Sequence, residues 1–196
     1  MKASLWTSTS LADWTDALGR YESVVARQGV KPLADLDRWY RQDLPDAIAA
    51  RRVPHVTHAE IVKIAEWKMA RGVWRARNLA LVRGNDAKLV VQTSTDALAK
   101  IPHPTAPITA LAELAGVGPA TASGVVAAAR PDLYPFFDEL VAAQVPTLGA
   151  VAWTTGYYRR YADALRERAT ELAHGWTPVM VERALWSHVG GKAGVR

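Results

Sequence analysis

The chain has no cysteine. Disulfides, thiol nucleophiles, thiolate zinc sites and cysteine-held iron–sulfur clusters are thereby excluded. No apolar run approaches the roughly 20 residues that a membrane-spanning helix needs. The opening residues Met1-Lys2-Ala3-Ser4-Leu5-Trp6-Thr7 lack the apolar centre of a signal peptide, so the expected location is the cytoplasm. The histidines form no recognisable metal site: His55 and His58 lie close together, but no acid or third histidine stands at ligand spacing. There is no glycine-rich nucleotide loop, no Ser–His nucleophile arrangement, no internal repeat and no low-complexity tract.

What is present fits a well-cored protein. At 196 residues the chain suits one domain, or two small lobes that share a cleft. Its net charge of +5 is unevenly spread. Residues 51–88 hold nine Lys/Arg against three acids, whereas the remainder holds fifteen against sixteen, so the whole excess lies in one block. Concentrated positive charge attracts a polyanion with strongly salt-dependent affinity. A solvated helix face is the alternative.

Taken in order, the chain reads as helices throughout. Ser10 to about Arg27 is an amphipathic helix closed by Gly29. A second helical stretch starts at Lys31-Pro32 and is interrupted near Pro45, with a short helix from Asp46 to Arg52. Thr57-His58-Ala59-Glu60 is a capping box that starts a helix ending at Gly72. Val73 to Val82 and Ala87 to Lys100 follow. Tyr157 to about Ala173 is long and amphipathic, Thr177-Pro178 opens a further helix, and Gly190–Gly194 reads as a frayed tail. The expected fold is all-α: two helical lobes within a single domain over 1–196.

The most informative stretch is Leu111-Ala112-Glu113-Leu114-Ala115-Gly116-Val117-Gly118-Pro119-Ala120-Thr121-Ala122-Ser123. A short amphipathic helix is broken by Gly116 and Gly118, and Pro119 suits the first position of a second helix reaching about Ala129. Turn amides and a helix N-terminus that face outward together make a phosphate site. Downstream stands Arg130-Pro131-Asp132-Leu133-Tyr134-Pro135-Phe136-Phe137-Asp138-Glu139.

Residues 108–130 resemble the helix-hairpin-helix motif. With Asp138, 18 residues beyond Ala120, the chain resembles the DNA glycosylase superfamily of the endonuclease III and alkyladenine glycosylase type. The resemblance implies double-stranded DNA as partner, a nucleoid-associated monomer, and Asp138 as the catalytic carboxylate. It implies backbone contacts from Gly116, Val117, Gly118, Ala120 and Thr121, and a monovalent cation held at the hairpin turn. Relatives that also cleave the strand carry a lysine where this chain has Ala120, so a monofunctional enzyme is expected. No iron–sulfur cluster of the relatives' kind is compatible with the composition.

Two readings stay open for the basic joint Trp67-Lys68-Met69-Ala70-Arg71-Gly72-Val73-Trp74-Arg75-Ala76-Arg77. Lys68, Arg71, Arg75 and Arg77 either contact phosphates or are solvated stems. Trp67 and Trp74, with Tyr134, Phe136 and Phe137, either line a pocket for an extruded base or fill the core. Asp138 also opens a helix, where Asp is a favoured N-cap. A non-catalytic duplex-binding protein is the alternative to an enzyme.

Overall fold

The computed structural model describes residues 4–195. Met1, Lys2 and Ala3, read above as lacking a signal peptide's core, lie outside the described residues. Among those described, every regular element is helical, and no helix is long and apolar enough to cross a membrane.

Helices α1 (Leu11–Gly19) and α2 (Tyr21–Ala26) replace the single helix expected over 10–27. Helix α3 (Leu33–Arg38) runs through a π turn (Trp39–Asp43) into α4 (Leu44–Ala49). Pro45 does not interrupt this run, because it falls in the first turn of α4, where a missing N–H is tolerated. Helix α5 (His58–Arg71) begins at the expected capping box: Thr57 Oγ1 accepts from the Glu60 amide, and Glu60 Oε2 accepts from the Thr57 amide at 2.7 Å. Helix α6 (Ala76–Arg83) starts three residues later than expected, which leaves Gly72–Arg75 outside helix.

Next come α7 (Ala87–Leu98), α8 (Ala106–Leu111), α9 (Pro119–Ala129) and α10 (Glu139–Ala142). Helices α11 (Thr155–Leu172), α12 (Pro178–His188) and α13 (Gly191–Gly194) complete the chain. The expected frayed tail is instead ordered. Gln28 donates to Gly190 O at 3.0 Å and accepts from the Ala193 amide at 2.9 Å.

Two groups of helices meet along one seam. Helix α12 packs on α1, α2, α10 and α11, while α5 packs on α3, α6, α7 and α9. Helix α9 is the internal strut of the second group: Ala120 to Ala128 are all buried. Its small residues allow close approach to α5, where a Cβ on Gly124 would stand 3.0 Å from Ile64 Cγ2. That closeness serves the interior rather than an outside surface.

Candidate functional site

A cavity of about 270 Å³ opens on the seam. It is bounded by the end of α5 and the joint (Lys68, Arg71, Gly72, Val73, Arg75), the start of α9 (Gly118, Pro119, Ala120), and the segment Phe136–Leu140. Trp153 and Lys192 complete the rim.

The turn before α9 is fixed from behind. The Asn85 side chain donates to Ala115 O and accepts from the Ala115 amide, both at 2.9 Å. Gly116 has φ +75°, and a Cβ there would stand 2.6 Å from Asn78 O and 2.8 Å from Leu81 Cβ, so only glycine fits against α6. Val117 is buried and its amide donates to Leu114 O at 3.1 Å. Thr121 is buried and accepts from Lys68 Nζ at 3.1 Å. Val117 and Thr121 are thus committed inside the protein, and Gly116 is pressed against α6. Gly118 and Ala120 face the cavity, and no side chain caps α9.

The carboxylate wall is held just as firmly. Tyr158 and Tyr161 of α11 donate to Pro135 O at 3.1 Å and Phe136 O at 2.7 Å, and the Phe137 amide donates to Ser123 Oγ at 2.9 Å. These bonds present Asp138, whose Oδ1 accepts from the Leu140 amide at 2.8 Å and whose Oδ2 accepts from Arg71 Nε at 3.0 Å. Asp138 is therefore the N-cap of α10 and also the partner of a buried cation.

Behind it lies an ionic cluster without a signature in the sequence. Arg71 donates to Tyr21 Oη at 2.7 Å and to Glu182, and Arg41 reaches Glu182 at 3.2 Å. Tyr21 in turn donates to Asp37 at 2.7 Å, which also accepts from Trp67 Nε1 at 2.8 Å. Three carboxylates (Asp37, Asp138, Glu182) face Arg41 and Arg71, with Arg183 4.4 Å above the Tyr21 ring. Burial pushes Glu182 above the usual carboxylate range, while Arg71 and Arg41 pull it back. Burial likewise pushes the Tyr21 hydroxyl up to about 12, so it stays protonated and can donate.

This arrangement corrects several expectations. Arg71 is buried, tied to Asp138 and Glu182, and is not a surface phosphate contact. Trp67 is fully buried, stacked on Tyr40 at 3.6 Å, and does not line the cavity. Tyr134 is buried too, its hydroxyl bonded to His103 O at 2.9 Å. Trp74 is 57% exposed and lies outside the cavity. Phe136 and Phe137 do line it, and Trp153, unnoticed in the sequence, stands 4.9 Å from Phe137.

The basic block is also smaller than its composition suggests. Arg51 pairs with Glu60 and Arg83 with Glu66, each at 2.7 Å. Lys63 lies 4.3 Å from the Trp39 ring. Arg75 and Arg77 are exposed, and Arg75 alone of the two borders the cavity. Lys192, on the opposite rim, pairs with Glu139 at 3.5 Å. Among the described residues, Lys68 and Arg75 are the cavity cations without a carboxylate partner. The cavity thus presents two carboxylates, Asp138 and Glu139, each paired with a cation, together with two uncompensated cations, an aromatic wall and an uncapped helix start. Among the described residues no group of His, Asp and Glu is placed to hold a metal ion. No protein-family model, curated protein or solved structure matches this chain.

Proposed function

We propose that the protein binds double-stranded DNA across the seam and excises a damaged or modified base, using Asp138 at an extruded nucleotide. The observation that carries this proposal is the meeting, on one cavity, of the Asp138 carboxylate with Lys68, Arg75 and the start of α9. Uncompensated cations and free helix-start amides suit a phosphate backbone. Phe136, Phe137 and Trp153 suit the face of a base taken out of the stack. A carboxylate beside the sugar opposes the positive charge that develops as the glycosidic bond breaks, and it can orient the attacking water. Ala120 supplies no amine, so release of the base by water is the step assigned to this site. The turn before α9 is also where the resemblance puts a monovalent cation.

A second reading is favoured by one specific observation: both Asp138 oxygens already accept hydrogen bonds. A cap that also balances Arg71 has a sufficient structural reason to exist, and the protein would then be a non-catalytic duplex binder.

The deciding experiment offers a panel of lesion-bearing duplexes, followed by alkali to reveal abasic sites, and then repeats the active case with Asp138→Asn. The amide can still cap α10 but carries no charge. Base release should be lost in folded variant protein while DNA affinity is kept. Wild-type release rates in folded Asp138→Asn would sink the enzymatic reading and leave the duplex binder.

A further inference from the structure

Glu182 sits on α12, is fully buried and forms no part of the cavity lining. Burial favours its neutral form, whereas Arg71 and Arg41 favour the carboxylate. The guanidinium that meets Glu182 through Nη2 also meets Asp138 through Nε at 3.0 Å. One rigid planar group therefore joins a hidden carboxylate to the one on the cavity wall. Its remaining contact, from Nη1 to Tyr21 Oη at 2.7 Å, fixes the plane, and Tyr21 is anchored in turn on Asp37.

A carboxylate bonded to an arginine opposes a developing cation poorly, because the pair is close to neutral. A second carboxylate on the far side of that arginine changes the sum. Asp37, Asp138 and Glu182 against Arg41 and Arg71 are three negative charges against two positive, one net negative charge. Buried charges of this kind are screened much less than surface ones. Asp138 is the carboxylate of the cluster that borders the cavity.

We infer that Glu182 acts through Arg71 as a positioning residue for base excision: it aims the guanidinium at Asp138 and offsets its charge, so that Asp138 faces the sugar as an effective anion. This role rests on the base-excision reading. Arg41 draws on the same Glu182 carboxylate from the other side, so Glu182 and Arg41 act on Asp138 in opposite directions.

Single-turnover base release should be measured on the duplex that the wild-type protein processes best, from a panel bearing deaminated, alkylated and oxidised bases. Affinity is read separately by fluorescence anisotropy, with a duplex carrying a stable tetrahydrofuran abasic analogue, and folding by melting curves. Glu182→Gln keeps the volume and an acceptor for Arg71 but removes the charge. It should slow release by on the order of tenfold while binding the analogue duplex like the parent. Arg41→Gln removes a cation from the same cluster and should release the base at the parent rate or faster. Both variants break buried ion pairs and should melt earlier, so a purely structural role predicts slower release from both. That result overturns the assignment, as does an unchanged rate, or a loss of affinity in step with rate, in folded Glu182→Gln. Should either variant fail to fold, Arg183→Gln removes the partly exposed cation above the Tyr21 ring. Release from it at or above the parent rate upholds the assignment, and slower release overturns it. Wild-type protein that frees no base from any duplex overturns the base-excision reading and this role together, before any variant is made.

Discussion

Trp67 and Trp74 stand seven residues apart, the first with an arginine four residues on and the second with one directly after it, yet one faces inward and the other outward. Trp67 is fully buried, stacked on Tyr40 and bonded to Asp37, and Arg71 beyond it is sealed between two carboxylates. Trp74 is 57% exposed, and Arg75 beside it lies open on the cavity rim. Helical periodicity would put residues seven apart on one face. Here α5 ends at Arg71 and α6 begins at Ala76, so that relation is cancelled between them. A short break in a helix therefore divides one uniform-looking basic, aromatic stretch into a structural half and a surface half.

The contrast is tested most severely by the two arginines. Arg71→Met leaves Asp138 buried without its cation and Glu182 with Arg41 alone, and should cost about 3–5 kcal/mol in urea unfolding. Arg75→Ala should change stability by no more than about 0.5 kcal/mol. If the protein binds DNA as proposed, its effect should appear there instead, as a fall of about 1 in the salt slope of log affinity. Equal stability losses for the two variants would erase the distinction drawn at Gly72.

A milder version uses the tryptophans. Trp67→Phe keeps a ring against Tyr40 but removes the N–H that Asp37 accepts, so about 1–3 kcal/mol should be lost. Trp74→Phe should melt with the parent protein. Calorimetry on the pair checks both. A large loss at Trp74 would mean that its exposed ring is packed in solution.

Two glycines repeat the contrast in the turn before α9. Gly116→Ala needs a positive φ and meets the backbone of α6, so more than about 1 kcal/mol should be lost. Gly118 has φ −94° and open space around its Cα. Gly118→Ala should hold or gain up to about 1 kcal/mol by stiffening the unfolded chain. If the start of α9 meets phosphate, the same methyl group should weaken duplex binding. Unchanged affinity in folded Gly118→Ala would remove this turn from the binding surface.

Local chemistry was what the sequence made legible. The capping pair Thr57/Glu60, the Thr177 cap and Pro119 after the Gly-Val-Gly turn are each written within four residues, and the helices they open formed where expected, whereas the helix before that turn ends at Leu111, short of Gly116. The cluster behind Asp138 was not legible. Arg41, Arg71 and Glu182 lie far apart in the chain and match no spacing rule. One signal was available: Glu182 falls three residues from Val179 and three from Leu185, on the face of α12 that is otherwise apolar. A charge in that position implies a buried counter-charge without naming it. Composition also misled over residues 51–88, because counting cations cannot reveal which are already paired with Glu60, Glu66, Asp138 or Glu182.

The bond from Arg71 to Glu182 joins residues 111 positions apart. Closing so long a loop costs chain entropy before any contact repays it, so pairings of this kind form late. The helices from α5 to α9 follow one another closely and pack on near neighbours, which suits early assembly. During that interval Arg71 has Asp138 within 67 residues but no Glu182. The carboxylate wall of the cavity thus acquires its final charge balance only when α12 docks. Readiness of the site thus depends on an element that supplies none of its lining, and any opening of α12 would leave Arg71 with Asp138 as its remaining carboxylate.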